Sequence, residues 1–403
     1  MGPAMPAHPR GRPTTDTERA MNLSCFAQSY AEARQKFLAS CARRGLAVES
    51  HVHPLPGRDG EQLAIDVARL GAADAANLLV LSSGCHGIEG FCGSAIQIDR
   101  LDDDAWFAAC QRGDLALLYI HALNPYGFSW ERRVTQENVD LNRNFQDFAA
   151  PLADNPDYRA VAKLLLPERC PPTLASTLGL YGYALRHGRK ALQAAISRGQ
   201  HGDPRGLFFA GTEPTWSNRQ LRQILRQHGR QCRRIGWIDV HTGLGPSGYG
   251  ERIYKGRQEP ADIARARQWW GPQVTNSAEG NSASSELNGT LDLAVLDECA
   301  QAQYNGLTLE YGTQPGLKVL TALRAEQWLE NRPDTDAATR ARIKAQLRAA
   351  FYVETDAWKR QVLEQAREVL ELTRQGLATP LRALHQSESQ AIAEQYSGMR
   401  ARS

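Results

Sequence analysis

The chain has 403 residues, of which 42% are hydrophobic and 23% charged. This composition is typical of a globular protein with a substantial core. Lys and Arg total 47 against 44 Asp and Glu, and a net charge of +3 gives no global attraction to nucleic acid or anionic membrane. No stretch approaches the ~20 apolar residues of a membrane-spanning helix. We therefore expect neither nucleic acid nor membrane as a partner, and look for function in a local site.

Two further features concern the compartment. Residues 1–20 are rich in proline and polar residues and have no apolar segment, which predicts a disordered tail rather than a signal peptide. The eight cysteines are scattered without a C-x-x-C pair, which favours free, mostly buried thiols over disulfides. Together these features predict a cytoplasmic protein.

Strand and helix patterns alternate along the chain. A helix is predicted over 27–44 and a strand over 62–70. The apolar run 77–83, closed by Gly84, is typical of a strand buried on both faces. Helical sequence follows over 94–100, and further buried strands are predicted at 115–120, 235–240 and 306–310. Other helices are predicted at 155–166, 217–228, 261–270 and 319–330, with one long helix over about 336–377.

This alternation predicts an α/β fold with a mixed, largely parallel sheet flanked by helices. Ligands in such folds gather beyond the carboxyl ends of the strands. We expect a single domain over 21–377, with an insertion-like region at about 173–216 and a polar tail over 378–403.

The first chemical cluster follows the strand at 77–83, in the sequence GCHGIEG. His86 and Glu89 lie three residues apart, and imidazole nitrogen and carboxylate oxygen both suit zinc. The flanking glycines permit a tight turn and close backbone approach. A second H-x-x-E copy, His385 and Glu388, lies in the polar tail with no strand before it and is interpreted as a solvated helix face.

The second cluster is His241, at the end of the strand 235–240 in IDVHTGLG. On its own it is most simply a capped core histidine. As a third ligand it would complete a set of two histidines and one carboxylate, which leaves the fourth zinc position open for water.

The third cluster, in the segment 132–145, follows the strand that ends near His121. Asn142 and Arg143 place a neutral donor beside a fork-shaped cation, which suits bidentate binding of a carboxylate. Arg133 could reach a developing oxyanion. Asp140 is a candidate partner that fixes the tautomer of a metal-bound histidine.

In chain order, H-x-x-E, R-(x6)-VDLNRNF, D-x-H and a late strand-end glutamate span about residues 75–315. This set resembles the zinc carboxypeptidase superfamily, which includes murein-peptide amidases and the aspartoacylase and succinylglutamate desuccinylase-like deacylases. The segments GCHGIEGFCGSA, NPYGF and IDVHTGLG resemble those of an uncharacterised bacterial branch of this superfamily.

The resemblance implies one zinc ion per chain, held by His86, Glu89 and His241. It implies Glu310, in LTLEYGT, as general base and an oxyanion role for Arg133. It also implies that the amide and guanidinium of the third cluster recognise the substrate's carboxylate. The mobile tyrosine of many carboxypeptidases has two candidates here, Tyr249 and Tyr304.

Three functional hypotheses follow. The first is zinc-dependent hydrolysis of an amide bond next to a free carboxylate, by a carboxypeptidase-like enzyme or peptide amidase. The second is deacylation of an N-acyl amino acid at the same metal site. The third is a noncatalytic zinc-binding protein on this scaffold. The partner is accordingly a peptide or an N-acyl amino acid with a free carboxylate.

Overall fold

The structure, a computed structural model, describes residues 21–166 and 168–379. The predicted N-terminal tail and the second H-x-x-E copy, His385 and Glu388, lie outside the described residues. Within the described part, no helix is both long enough and apolar enough to cross a membrane. All eight cysteines are free and seven are buried, as predicted from their spacing.

A single mixed sheet organises the described residues. Its seven strands follow the spatial order β1-β2-β4-β3-β5-β7-β6. The central strands β4, β3, β5 and β7 are parallel, whereas β1, β2 and β6 pair antiparallel with their neighbours. The strand bounds are β1 Val48–Pro56, β2 Gln62–Leu70, β3 Asn77–Ser82, β4 Leu115–His121, β5 Arg234–Ser247, β6 Gly250–Lys255 and β7 Gln303–Gly312.

Helices cover both faces of the sheet, which confirms the predicted α/β class. Their bounds are α1 Tyr30–Arg43, α2 Gly90–Asp102, α3 Asp104–Cys110, α4 Pro125–Ser129, α5 Pro156–Leu165, α6 Leu174–His187, α7 Arg189–Ser197, α8 Trp216–His228, α9 Pro260–Trp270, α10 Asp292–Glu298, α11 Gly316–Glu330, α12 Ala337–Phe351 and α13 Asp356–Ala378. Apolar residues of α1, α2, α9 and α11 to α13 bury one face of the sheet, and those of α8 and α10 bury the other.

The five predicted strands are present, but the sequence did not predict β1 and β6. Both are edge strands that pair antiparallel on one side only. β1 is mostly exposed and contains two prolines, features that are typical of edge strands and weaken a strand pattern in sequence.

The predicted long helix over 336–377 is wrong in one respect, because it is two helices, α12 and α13. The break comes at Tyr352, which is extended and almost fully buried, with its ring 5.4 Å from that of Phe91. Thr355 then caps the second helix by accepting a hydrogen bond from the Trp358 amide. Burial of one aromatic ring and a new N-cap therefore interrupt a run of good helix formers.

Candidate metal centre

The carboxyl ends of β3 and β5 bring the first two clusters together. His86 follows β3, Glu89 ends the short 3-10 helix Gly87–Glu89, and His241 lies within β5. The turn between them is tight: a Cβ added to Gly87 would lie 2.0 Å from the carbonyl carbon of Gly127. Only glycine allows the two backbones to approach this closely.

The three predicted ligands converge in a buried cluster. His86 Nδ1 lies 2.9 Å from Glu89 Oε1, and His241 Nδ1 lies 3.1 Å from Glu89 Oε2. The two Nδ1 atoms are 3.2 Å apart, and the side chains of the cluster are at most 3% exposed. Two imidazole nitrogens and one carboxylate therefore face a common point.

Each imidazole has a carboxylate at its other nitrogen. His86 Nε2 is 3.0 Å from Asp140 Oδ1, and His241 Nε2 is 2.5 Å from Asp239 Oδ2. A carboxylate at Nε2 favours the proton on that atom and leaves Nδ1 free to bind a cation. The sequence analysis predicted this supporting role for Asp140 but did not identify Asp239. The D-x-H spacing was the available signal, because residues two apart on a strand face the same side.

Arg133 lies against this cluster. Its Nε donates to Asp140 Oδ2 and its Nη1 to Glu89 Oε1, both at 3.0 Å. Its Nη2 is 2.8 Å from His86 Nε2, so Arg133 and Asp140 compete for that nitrogen. A cation at Nδ1 would decide the competition in favour of Asp140, because the imidazole would then keep its proton on Nε2.

The donor set and the charge both suit zinc. Two imidazoles and one carboxylate are a donor set of catalytic zinc sites. Four buried carboxylates surround the centre against two guanidinium groups: Glu89, Asp140, Asp239 and Glu310, against Arg133 and Arg143. Either protons on His241 and Glu310, whose pKa values are raised to about 10 and about 7, or a bound dication would balance this excess of negative charge.

A second group of candidate donors shares His241 with the first. Cys85, Asp239 and His241 also have donor atoms within 4.8 Å of one another. Burial raises the pKa of the Cys85 thiol well above its usual value, and nearby Asp239 raises it further. Because the thiolate is the form that binds metal, the group with His86 and Glu89 is the better candidate.

Glu310 lies beside His241 at the end of β7. The two are register partners in the parallel pair β5–β7, and Glu310 Oε1 accepts a hydrogen bond from the Leu244 amide at 3.0 Å. Burial, with a further contribution from the Glu89 carboxylate, raises the pKa of Glu310 to about 7. A cation bound nearby would lower this pKa.

The third cluster lies next to the centre and is buried. Asn142 Oδ1 accepts from the Leu291 amide at 2.9 Å. Arg143 Nε and Nη1 donate to the carbonyl oxygens of Ser197 and Asn142, each at 2.8 Å, and Nη1 lies 3.8 Å from Asp140 Oδ1. The residues predicted to bind a carboxylate are thus adjacent to the residues predicted to bind zinc.

The predicted insertion-like region contributes to the site. Ser197 ends α7, and the Phe208 ring lies over the guanidinium groups of Arg133 and Arg143, at 5.4 and 5.7 Å. Phe208 has a left-handed backbone, with φ of 54°, which is unusual for a bulky residue. This segment therefore covers both arginines, a contact between distant residues that no local pattern predicted.

The two tyrosine candidates differ in their surroundings. Tyr249 is 46% exposed in the turn between β5 and β6, whereas Tyr304 is buried in β7 and lines a small cavity near Asn142. Of the two, only Tyr249 has the exposure that a mobile side chain requires.

A family model described as a protein of unknown function, DUF2817, matches residues 26–365. The chain belongs to the DUF2817 family. In this DUF2817 protein the match includes every residue of the candidate metal centre. No curated protein matches the chain.

Solved structures similar to this DUF2817 protein include metallocarboxypeptidases and a deacylase. Carboxypeptidase A from Helicoverpa armigera is 13% identical with a TM-score of 0.40, covering 83% of this chain and 77% of that one. Bovine thrombin-activatable fibrinolysis inhibitor is 12% identical with a TM-score of 0.40, covering 84% and 98%. A succinylglutamate desuccinylase from Silicibacter sp. TM1040 is 14% identical with a TM-score of 0.33, covering 75% and 65%.

Proposed function

We propose that this protein is a zinc-dependent hydrolase that cleaves an amide bond next to a free carboxylate, as a carboxypeptidase or peptide amidase does. The observation that carries the proposal is the convergence of His86, Glu89 and His241, with each imidazole supported by a carboxylate. Three protein ligands leave a coordination position open, as a catalytic zinc site requires.

Zinc at this position would acidify water and polarise the scissile carbonyl. Glu310 accepts the proton of the attacking water, because its carboxylate lies beside His241 and a cation at the centre would keep it ionised at neutral pH by lowering its pKa. After the carbon–nitrogen bond breaks, Glu310 returns that proton to the departing amine.

Arg133 stabilises the negative charge that develops on the carbonyl oxygen. In the described structure its Nη1 donates to Glu89 Oε1. If Glu89 bound a cation, this Arg133 donor would be free for another acceptor. A permanently charged guanidinium fixed by Asp140 can then donate to an oxyanion without reorganising.

Asn142 and Arg143 hold the substrate's free carboxylate. Within the described residues, Arg143 uses Nε and Nη1 on main-chain carbonyl oxygens, and no hydrogen bond uses Nη2. An incoming carboxylate binds Nη2 and displaces the Ser197 carbonyl from Nε, which completes the two-bond fork.

Deacylation of an N-acyl amino acid is a second candidate at the same site. The observation that favours it is the cover formed by Ser197 and Phe208, which lies directly on the carboxylate-binding arginine. A covered pocket admits short substrates more readily than long peptides.

The experiment compares a zinc-loaded preparation on three substrates: a blocked dipeptide, its C-terminal amide and an N-acyl amino acid. We expect one zinc per chain, turnover of substrates with a free carboxylate, loss on chelation and recovery with zinc. Arg143→Lys should still be damaging, since a point charge cannot form the fork. Equal hydrolysis of acid and amide would refute the carboxylate role, and zinc binding without any turnover would support the noncatalytic alternative.

A further inference from the structure

A series of hydrogen bonds connects the candidate metal centre with the apolar core. Trp237, Asp239 and His241 alternate along β5 and therefore share one face of the sheet, and Ser82 on β3 is the lateral partner of Asp239. Trp237 Nε1 donates to Ser82 Oγ, and Ser82 Oγ donates to Asp239 Oδ1, each at 2.6 Å. The other oxygen of this carboxylate, Oδ2, lies 2.5 Å from His241 Nε2. Neither Ser82 nor Trp237 has a part in the proposed mechanism.

The chemistry of the groups fixes the direction of this Trp237–Ser82–Asp239 relay. An indole N–H can only donate, so Trp237 occupies a lone pair of the Ser82 hydroxyl group. The single proton of that hydroxyl group is then directed to Asp239 Oδ1, because an ionised carboxylate can only accept. With Oδ1 held in this way, Oδ2 faces His241 and favours a proton on Nε2. The Nδ1 atom of His241 is thereby left for a cation.

The relay is shielded from water along its whole length. All of its side chains, and that of His241, are at most 5% exposed. Trp237 belongs to the apolar cluster that packs the sheet against α8 and α10. In such surroundings a donor that loses its acceptor finds no water to replace it, and a fully satisfied polar network is rigid. The indole therefore ties the orientation of the Asp239 carboxylate to the core.

We propose that Ser82 and Trp237 are positioning residues that set the zinc affinity of the centre. They hold the Asp239 carboxylate in the orientation that keeps His241 Nδ1 available, and they act through Asp239 rather than on the ion or the substrate. The inference rests on the zinc site of the proposed function and adds the residues that tune it. A hydroxyl group with a merely structural role would contribute to the free energy of unfolding but not to zinc affinity.

The test is a double-mutant cycle on the zinc affinity of the full chain, measured by competition with a chelator. Ser82→Ala should weaken zinc binding roughly 10-fold, the lower end of the range for lost support of a metal ligand, because it acts through a second residue. In an Asp239→Asn background the same substitution should change the affinity by less than about twofold, since the carboxylate that transmits the effect is gone. Ser82→Thr keeps the hydroxyl group and should restore the affinity.

A second buried indole–hydroxyl pair provides a matched control. Trp270 Nε1 donates to Thr373 Oγ1 at 2.9 Å, and this hydroxyl group donates to the main-chain oxygen of Val369 at 2.7 Å. The pair ends at a carbonyl group and not at a carboxylate that supports a histidine. Trp270→Phe and Thr373→Val should therefore lower the free energy of unfolding and leave zinc affinity unchanged. Trp237→Phe should weaken zinc binding, and it decides the proposal if Ser82→Ala does not fold.

The outcomes separate this inference from the proposed function. Unchanged zinc affinity in Ser82→Ala or Trp237→Phe overturns the relay, and so does an equal loss for Ser82→Ala with and without the Asp239 carboxylate. Zinc binding without turnover refutes the proposed function and leaves the relay in place. If the unmutated protein binds no zinc, the proposed function fails, and NMR of the His241 Nε2 proton decides the inference. A hydrogen-bonded signal that Asp239→Asn abolishes and Ser82→Ala shifts supports the relay, whereas a signal that Ser82→Ala leaves unchanged overturns it.

Discussion

At the scale of single residues, the centre depends on which nitrogen of each histidine faces inward. Both imidazoles direct Nδ1 toward Glu89, because a carboxylate lies at each Nε2. Burial disfavours the ionised form of Glu89, but the two histidines outweigh it and lower the pKa of this carboxyl. Glu89 is therefore ionised and available as a ligand at neutral pH.

Asp239→Asn tests the orientation of His241. The amide is almost the same size, but it removes the negative charge that favours a proton on Nε2. Loss of such a partner typically costs 10- to 100-fold in metal affinity, and we expect a change of about this size. Competition of the purified variant against a zinc chelator measures it. The exposed Asp74→Asn is the matched control, and equal affinities of the two variants would contradict the assignment.

Glu310→Gln tests the general base. Glutamine keeps the size of the side chain but cannot take a proton from water, so turnover should fall by ~10²–10⁴. Zinc content should stay near one per chain, because Glu310 is not a proposed ligand. Turnover and zinc are measured on one preparation, with the exposed Glu364→Gln as control. Near-normal turnover would mean that another group is the base, and zinc loss would make Glu310 a ligand.

At the scale of elements, the turn between β3 and α2 positions two of the three proposed ligands, His86 and Glu89. Gly87 packs against the backbone of Gly127 in α4, and its amide donates to the Arg133 carbonyl. The same contact therefore fixes the ligand turn and the start of the arginine segment. The cover formed by Ser197 and Phe208 contacts the two arginines of this segment, Arg143 and Arg133.

Gly87→Ala tests this contact. A methyl group 2.0 Å from a backbone carbon must push the two segments apart, which moves His86 and Glu89 relative to His241. We expect weaker zinc binding and a lower free energy of unfolding. In the control, Gly182→Ala in α6, the added methyl meets no atom within 4 Å and should stabilise the helix by up to about 1 kcal/mol. Normal zinc affinity in Gly87→Ala would show that the turn tolerates the shift.

At the scale of the whole molecule, one histidine links stability to pH. His121 is fully buried at the end of β4, with its Nε2 2.9 Å from Ser94 Oγ and its ring stacked 4.6 Å from that of Phe37. Burial lowers the pKa of His121 to about 4. Between this value and the ordinary pKa of ~6.5, the unfolded chain binds a proton that the folded chain excludes.

The free energy of unfolding should therefore fall as the pH falls from about 6.5 toward 4, by about 3 kcal/mol from this residue. Denaturant unfolding at several pH values measures the slope. His121→Gln should be less stable at neutral pH but have a shallower slope, because it cannot titrate. The exposed His187→Gln should retain the full slope, and identical slopes for all three proteins would contradict the assignment.

The sequence by itself determined the central architecture and the positions of the chemistry. Strands β2, β3, β4, β5 and β7 each contain an apolar run whose burial is encoded locally. His86, His241 and Glu310 could be placed at one edge because carboxyl ends of parallel strands meet there. The family motifs then connected these residues with zinc.

Only the tertiary structure decided the features that depend on contacts between distant residues. The edge strand β6 exists because β7 supplies its partner, and α12 ends where Tyr352 packs on Phe91. Asp239 contacts His241 only through the orientation of the two side chains. Local sequence patterns indicate which residues are buried and which are neighbours along the chain. Strand register and side-chain contacts arise only when the chain is folded, and they decide which groups reach the site.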